Sequence, residues 1–248
     1  MWVDTHCHLQ LSDDDPRAML ERAANADVAW VVVPGVDAAS SAAASALAEV
    51  HDQVRWTAGL HPHEAQRWPQ EEAAIIEMAS QAAAVGECGL DFYRNLSPAP
   101  DQLAALKAQL ELAATLDKPA VVHCRDAFAE LHELLEASGA GPRTVLHCWT
   151  GGPRWTKRFR DLDVTFSFAG PVAFATGDTV RRGAAEAPPE RTMVETDTPY
   201  LSPPPYRKEA NEPARVRLIG EALAEVWSIE VDEVARLSTA TAGRVFGG

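Results

Sequence analysis

The chain has 248 residues, of which 46% are hydrophobic and 23% charged, an ordinary globular balance that excludes a mainly disordered protein. Its 36 acidic side chains outnumber its 22 basic ones, and the net charge of −14 disfavours capture of nucleic acid or anionic membrane by the surface as a whole, so any polyanion has to be gripped locally. No stretch has the apolar length of a membrane helix, the start MWVDTHCH lacks the layout of a secretion signal, and the four cysteines are scattered without a CxxC pair. A cytoplasmic protein is expected, with no disulfide framework, no membrane association and no obligate protein partner.

Short β-branched or apolar runs alternate with Ala/Leu/Glu-rich stretches along the whole chain. The first run covers 1–5, and a helix opens near Asp15-Pro16, with proline in the first turn where its missing N–H is harmless. Run 28–33 then precedes helix 38–50, 54–59 precedes 70–82, and 83–87 precedes 101–117. Run 119–123 precedes 126–138, 143–147 precedes 153–161, and 163–168 precedes 176–187. Run 191–195 leads to a helical region over 212–247 with a break near Ser228. Eight strand–helix units predict an α/β chain folded as a (β/α)8 TIM-type barrel, one domain over 1–248. A doubly wound open sheet is the alternative, but it usually carries a Gly-rich nucleotide turn, which the sequence lacks. The proline-rich stretch LSPPPYRKEANEP at 201–213 reads as a loop of the active-site face.

Metal-capable side chains mark the predicted strand ends. His6 and His8 follow the first strand and His61 and His63 the third, while Glu87, His123 and His147 end the fourth, fifth and sixth. Glu195 and Asp197 stand at the end of the eighth. Residues i and i+2 of a strand share a face, so His6 and His8 are expected to grip one cation together. Imidazole with carboxylate suits zinc, manganese or a similar divalent ion, and Glu87 is placed to bridge two such ions because strand four faces strand eight across a barrel. Cys7, Cys88, Cys124 and Cys148 each follow a candidate ligand, so alternation turns them towards the helix layer as packing residues. His51 and His132 fall in helical stretches and read as surface residues.

These blocks resemble the TatD-related metal-dependent deoxyribonucleases, within the amidohydrolase-like barrels. The matching segments are DTHCHL at 4–9, GLHPH at 59–63, GECGLDFY at 86–93, PAVVHCRDA at 119–127, LHCWTGG at 146–152, ETDTPYL at 195–201 and NEP at 211–213. The resemblance implies two divalent ions (Mg, Mn or Zn), one held by His6, His8, Glu87 and Asp197 and the other by Glu87, His123 and His147. It further implies that His63 and Arg125 face the substrate phosphate. The alternative for Arg125 is a salt bridge to Asp126 or another carboxylate. None of the four lysines, Lys107, Lys118, Lys157 and Lys208, stands at the end of strand four, which disfavours relatives that bridge their metals with a carbamylated lysine.

Two ions against two carboxylates make the site locally positive and suited to a phosphodiester. Asp197 is the expected general base and Glu87 the shared catalytic ligand. Asp91 and Glu195 are expected to support ligands from behind, and His61 is divided between a structural and a substrate role. Tyr200, Arg207 and Asn211 are expected to shape the substrate cleft, with Asn211 in contact with substrate. Phe92, Tyr93 and Trp149 are either packing residues or platforms for bases. The expected activity is 3′–5′ exonucleolytic hydrolysis of single-stranded DNA or strand ends. The alternative is deacylation of D-aminoacyl-tRNA, and the intact ligand set argues against a non-catalytic scaffold.

Overall fold

A computed structural model describes residues 1–247. Eight strands follow one another around a single sheet in chain order: β1 (Trp2–Asp4), β2 (Val28–Pro34), β3 (Val54–Ala58), β4 (Ala84–Asp91), β5 (Ala120–Arg125), β6 (Thr144–Leu146), β7 (Thr165–Phe168) and β8 (Thr192–Val194). Every neighbouring pair from β1 to β8 is parallel. The connecting helices are α1 (Pro16–Asn25), α2 (Ala38–Val50), α3 (Trp68–Gln81), α4 (Ala99–Thr115), α5 (Phe128–Ser138), α6 (Pro153–Arg160) and α7 (Asp178–Ala184). The C-terminal region forms α8 (Val216–Trp227) and α9 (Val231–Phe246), separated at Ser228, whose φ of 55° ends α8 in the left-handed region. The fold is the expected barrel, nearly closed.

Alternation along the strands builds two cores. Val3, Val32, Ala84, Val121, Val145 and Met193, from six different strands, cluster with Ala242 and Phe246 of α9. The larger cluster fills the layer between strands and helices, and it includes Cys7, Cys88 and Cys124 among leucines, valines and phenylalanines. Those three cysteines therefore pack as small apolar groups, as alternation predicted, and burial pushes their thiols up in pKa.

The seam between β8 and β1 closes just beyond the strands proper. Thr5 N–H donates to Val194 O at 3.2 Å, Asp197 N–H to His6 O at 2.9 Å and His8 N–H to Thr198 O at 2.7 Å. The buried Asp4 carboxylate ties the same seam, accepting from Thr196 N–H at 2.9 Å, the Thr196 hydroxyl at 2.6 Å and His6 N–H at 3.3 Å. His6 and His8 thus lie past the end of β1, on extended backbone held against Asp197 and Thr198.

Three expectations differ. Cys148 is half-buried and joins neither core, unlike the other cysteines. The sequence places the end of the fourth strand at Glu87, but β4 continues to Asp91, so Glu87 lies within the strand rather than at its tip. Gly86 and Gly89 break the apolar pattern there, with φ of 131° and 139°, and Gly89 lies so close to β5 that a Cβ would stand 2.0 Å from His123 O. His132 is buried, not superficial. Its ring packs edge-on against Phe159 at 5.4 Å because it shares the inner face of α5 with Leu131 and Leu135.

Gly89→Ala is therefore expected to lower unfolding free energy by about 2–4 kcal/mol, from strain plus a backbone clash that cannot relax cheaply. Gly243→Ala, in α9 with nothing within 4 Å of the added methyl, should instead stabilise by about 0.5–1 kcal/mol. Urea unfolding of both variants checks the pair, and an unperturbed midpoint for Gly89→Ala contradicts the close β4–β5 approach.

Candidate metal centre

Within the mouth of the barrel five imidazoles surround one carboxylate. Glu87 Oε2 faces His6 Nε2 at 3.2 Å and His8 Nε2 at 3.6 Å. Glu87 Oε1 faces His147 Nε2 at 2.9 Å, His61 Nε2 at 3.3 Å and His123 Nδ1 at 3.4 Å. Each oxygen therefore addresses a separate group of ring nitrogens. Asp197 Oδ1 completes the first group, 3.6 Å from His8 Nε2 and 3.9 Å from His6 Nε2.

The donor chemistry fits cations at both places. His6 Nε2 and His8 Nε2 stand 3.2 Å apart, as do His123 Nδ1 and His147 Nε2. Two ligands bound at about 2.1 Å to one ion stand roughly 3.0–3.4 Å apart, which is this spacing. Nitrogen lone pairs and carboxylate oxygens aimed at a common point repel one another unless a positive charge lies between them. Burial opposes ionisation of Glu87, yet His147, His61, His6 and His123 together hold its carboxyl well below the usual carboxylate range. Asp197 is likewise kept low against burial, by His8, His6 and His147.

Partners behind the nitrogens set their tautomers. His147 Nδ1 meets Glu195 Oε1 at 3.2 Å, and the same oxygen accepts Cys148 N–H at 2.7 Å. His123 Nε2 faces Asp91 Oδ2 at 3.4 Å, and His63 Nε2 meets that oxygen at 2.9 Å. With its proton on the Nδ1 turned to Glu195, a neutral His147 keeps the Nε2 lone pair towards Glu87, the arrangement in which a second carboxylate orients a metal-binding imidazole. Burial pulls His123 and His147 down, but Asp91 and Glu87 for the first, and Glu87 and Glu195 for the second, raise both above an ordinary histidine.

His61 behaves differently, although it stands as close to Glu87 as the others. Its Nδ1 accepts His63 N–H at 3.1 Å, capping the short 3-10 turn Pro62–Arg67. Burial lowers its pKa to about 4, so at neutral pH it is uncharged and its one proton sits on Nε2. That nitrogen stands 3.3 Å from Glu87 Oε1. In this tautomer His61 offers no lone pair to a cation there, although it lies within reach of the same point as Glu87 and His123. Its role was not legible in the sequence because GLHPH does not say which nitrogen the loop consumes.

The remaining candidates separate clearly. Arg125 ends β5 on the face of His123, and its guanidinium lies over the Tyr93 ring at 3.9 Å; the alternative ion pair with Asp126 is not formed. His63 sits at the rim of the centre, fixed by Asp91. Asn211, an expected substrate contact, spends its side chain inside the protein. It is buried, its amide donates to Thr196 O at 2.8 Å and Tyr200 O at 2.9 Å, and its carbonyl accepts Glu212 N–H at 3.0 Å, so every polar atom is spent holding the 201–213 loop. Trp149 is a core residue, its indole N–H donating to Thr156 Oγ1 at 2.9 Å. Tyr93 and Tyr200 are exposed, and the Tyr200 ring centre is 6.3 Å from that of His8. Lys118 donates to the carbonyls of Ala79, Ser80 and Ala82 and takes no part in the centre. Asp4 and Thr196, which carry the seam beneath His6, were not singled out from the sequence; the only signal was their place inside the DTHCHL and ETDTPYL blocks.

The family described as TatD related DNase matches residues 3–247. An uncharacterized metal-dependent hydrolase of Bacillus subtilis, YabD, is 32% identical over 252 residues, covering 99% of each chain. The 3′-5′ ssDNA/RNA exonuclease TatD of a Rahnella strain is 39% identical over 212 residues, covering 82% of this chain and 81% of its own. Among solved structures, the TatD homologue YJJV of Escherichia coli K12 superimposes with a TM-score of 0.88 at 26% identity, covering 100% of this chain and 98% of its own. No helix among the described residues is long and apolar enough to cross a membrane. At this identity and coverage the chain belongs to the TatD-related DNase family, as a metal-dependent hydrolase.

Proposed function

We propose that this hydrolase cleaves phosphodiester bonds of single-stranded DNA, from the 3′ end, with two divalent ions. The observation that carries the reading is the division of Glu87: Oε2 belongs to the His6–His8–Asp197 group and Oε1 to the His123–His147 group. A relative 39% identical is named a 3′-5′ ssDNA/RNA exonuclease, which supports the choice of substrate. The chain's charge of −14 favours a substrate taken at one small positive centre over a duplex held along a basic surface.

Glu87, with His6, His8 and Asp197 on one side and His123 and His147 on the other, would hold divalent ions (Mg, Mn or Zn), which would supply Lewis acidity towards a phosphodiester and acidify a water. The protein's own side chains do the rest. Asp197, held ionised, accepts the proton of the attacking water at its carboxylate. Glu87 fixes the spacing of the two ligand groups, and the His61 Nε2–H steadies its Oε1. Arg125 offers N–H groups to the phosphate, and Asp91 with Glu195 keeps the histidines behind the centre in register.

A 5′-labelled oligonucleotide, in single-stranded and duplex form, with Mg²⁺, Mn²⁺ or Zn²⁺ and with EDTA, tests the function. Stepwise shortening of the single strand from its 3′ end, lost with chelator, is expected. Release of amino acid from D-aminoacyl-tRNA without any shortening of DNA defeats the nuclease reading. Asp197→Asn should lower turnover by about 100-fold or more, the scale of a lost acid–base group. Glu87→Ala should lose ions from both groups, and retention of two ions per chain by elemental analysis removes the bridging assignment.

Proton competition gives a second check. Without ions, His123 and His147 are raised above an ordinary histidine, so a proton occupies the place of a cation. Lowering the pH through that raised range must weaken ion binding, and raising it must strengthen binding until both rings are neutral. Calorimetric titration of the metal-free protein with Zn²⁺ in buffers of different ionisation enthalpy should show about one to two protons released per chain. Zero proton release contradicts the assignment of these two rings as ligands.

A further inference from the structure

We propose that Tyr93 is the positioning residue of Arg125, holding the guanidinium by its ring face so that all of its N–H groups remain open to a substrate phosphate. The inference rests on the phosphodiesterase reading above. Arg125 closes β5 opposite Asp91 in the β4–β5 register, and Tyr93 follows two residues beyond Asp91. The natural anionic partner at that place is already engaged, because Asp91 takes His63 and His123. What Arg125 meets instead is the Tyr93 ring, 3.9 Å from the guanidinium carbon.

Two other arginines packed as closely on an aromatic ring are tied by polar contacts as well. Arg215 also lies over a tyrosine, Tyr206, at 4.1 Å, but it is tied to Glu209 and Glu212 as well. Arg207 lies over Phe174 at 3.7 Å while donating to Ser202 O. The Arg125 guanidinium has neither an ion pair nor a hydrogen bond among the described residues, in a chain that carries 36 acidic side chains. An aromatic face attracts a guanidinium through its quadrupole without accepting any of its in-plane N–H bonds. A carboxylate in the same place would occupy two of them and cancel the charge. Tyr93 is 62% exposed, so burial in the core does not account for its place. A long, flexible side chain is thus narrowed to one plane before substrate arrives, and the cost of ordering it on binding falls.

The test compares wild type, Tyr93→Phe, Tyr93→Leu, Arg125→Ala and the Arg125→Ala/Tyr93→Leu double variant, each as the Mn²⁺-loaded protein. Binding is read by anisotropy with a labelled, phosphorothioate-linked oligothymidylate that is cleaved slowly, and hydrolysis with the ordinary phosphodiester. Tyr93→Leu should raise Kd and KM by about 3–10-fold, the range of a cation–π contact, while Tyr93→Phe stays near wild type. Its kcat should change by less than about twofold, because the ring acts on phosphate capture and not on the proton transfers. Tyr93→Leu should add nothing in the Arg125→Ala background. The proposal is overturned if Tyr93→Leu binds like wild type, if it weakens binding equally in both backgrounds (a ring stacking on bases by itself), or if wild type binds no oligothymidylate. Binding without hydrolysis in the wild type counts against the phosphodiesterase reading alone, and the double-variant cycle still decides the role of Tyr93.

Discussion

A single buried carboxylate, that of Glu87, is the constraint around which the catalytic end of this barrel is arranged. Five histidines lie within 3.6 Å of it, delivered from the ends of β1, β3, β5 and β6. A lone carboxylate in that position would be driven towards neutrality by desolvation, yet the surrounding imidazoles keep it ionised. The converse also holds, since Glu87 and Glu195 raise His147. Charge in the centre is therefore mutual. This donor chemistry accords with a metal-dependent hydrolase and distinguishes the cluster from histidines that serve packing alone.

Holding such a centre requires a rigid frame, and the frame is most exacting at two places. One is the β8–β1 seam, where the backbone bonds that close the barrel also set His6 and His8 against Asp197. Asp4 reinforces it from below through Thr196, so the residue that shuts the cylinder and the candidate ligands His6, His8 and Asp197 belong to the same short segments. The other is β4, where Gly86 and Gly89 let the strand run close against its neighbours and carry Glu87 inside the strand instead of at its tip. Fold and site thus share their critical backbone, and substitutions at these positions couple stability to chemistry.

Proximity and chemical role do not coincide in this centre. His61 is as near to Glu87 as His123 is, but the backbone N–H of His63 uses the nitrogen that decides its tautomer. Asn211, close to the loop over the mouth, is wholly consumed in bracing that loop. Arg125 shows the opposite case, an exposed cation whose nearest partner is an aromatic ring that leaves its donors free. In each instance the fate of individual N–H groups assigns the function, and distance alone does not.

Much of this was legible before any coordinates. The eight-fold alternation of apolar runs with helix-forming stretches is a local property, because side-chain periodicity follows from backbone geometry, and it was enough for the barrel and for ligand-type residues near its strand ends. The cysteines following Glu87, His6 and His123 were readable as packing residues for the same reason. Tertiary structure alone decided the rest. The extension of β4 past Glu87 depends on how closely β5 approaches Gly89, which no local pattern records. The burial of His132 depends on the neighbouring Phe159 of α6. The tautomer of His61, the loop-bracing amide of Asn211 and the ring beneath Arg125 all turn on which partner reaches a given atom first. Such pairings join residues distant in sequence or fixed by loop geometry, and a hydrogen bond is directional within a few tenths of an ångström. Periodicity in the sequence sets which face a side chain lies on, but only the assembled fold sets which of its atoms are already taken.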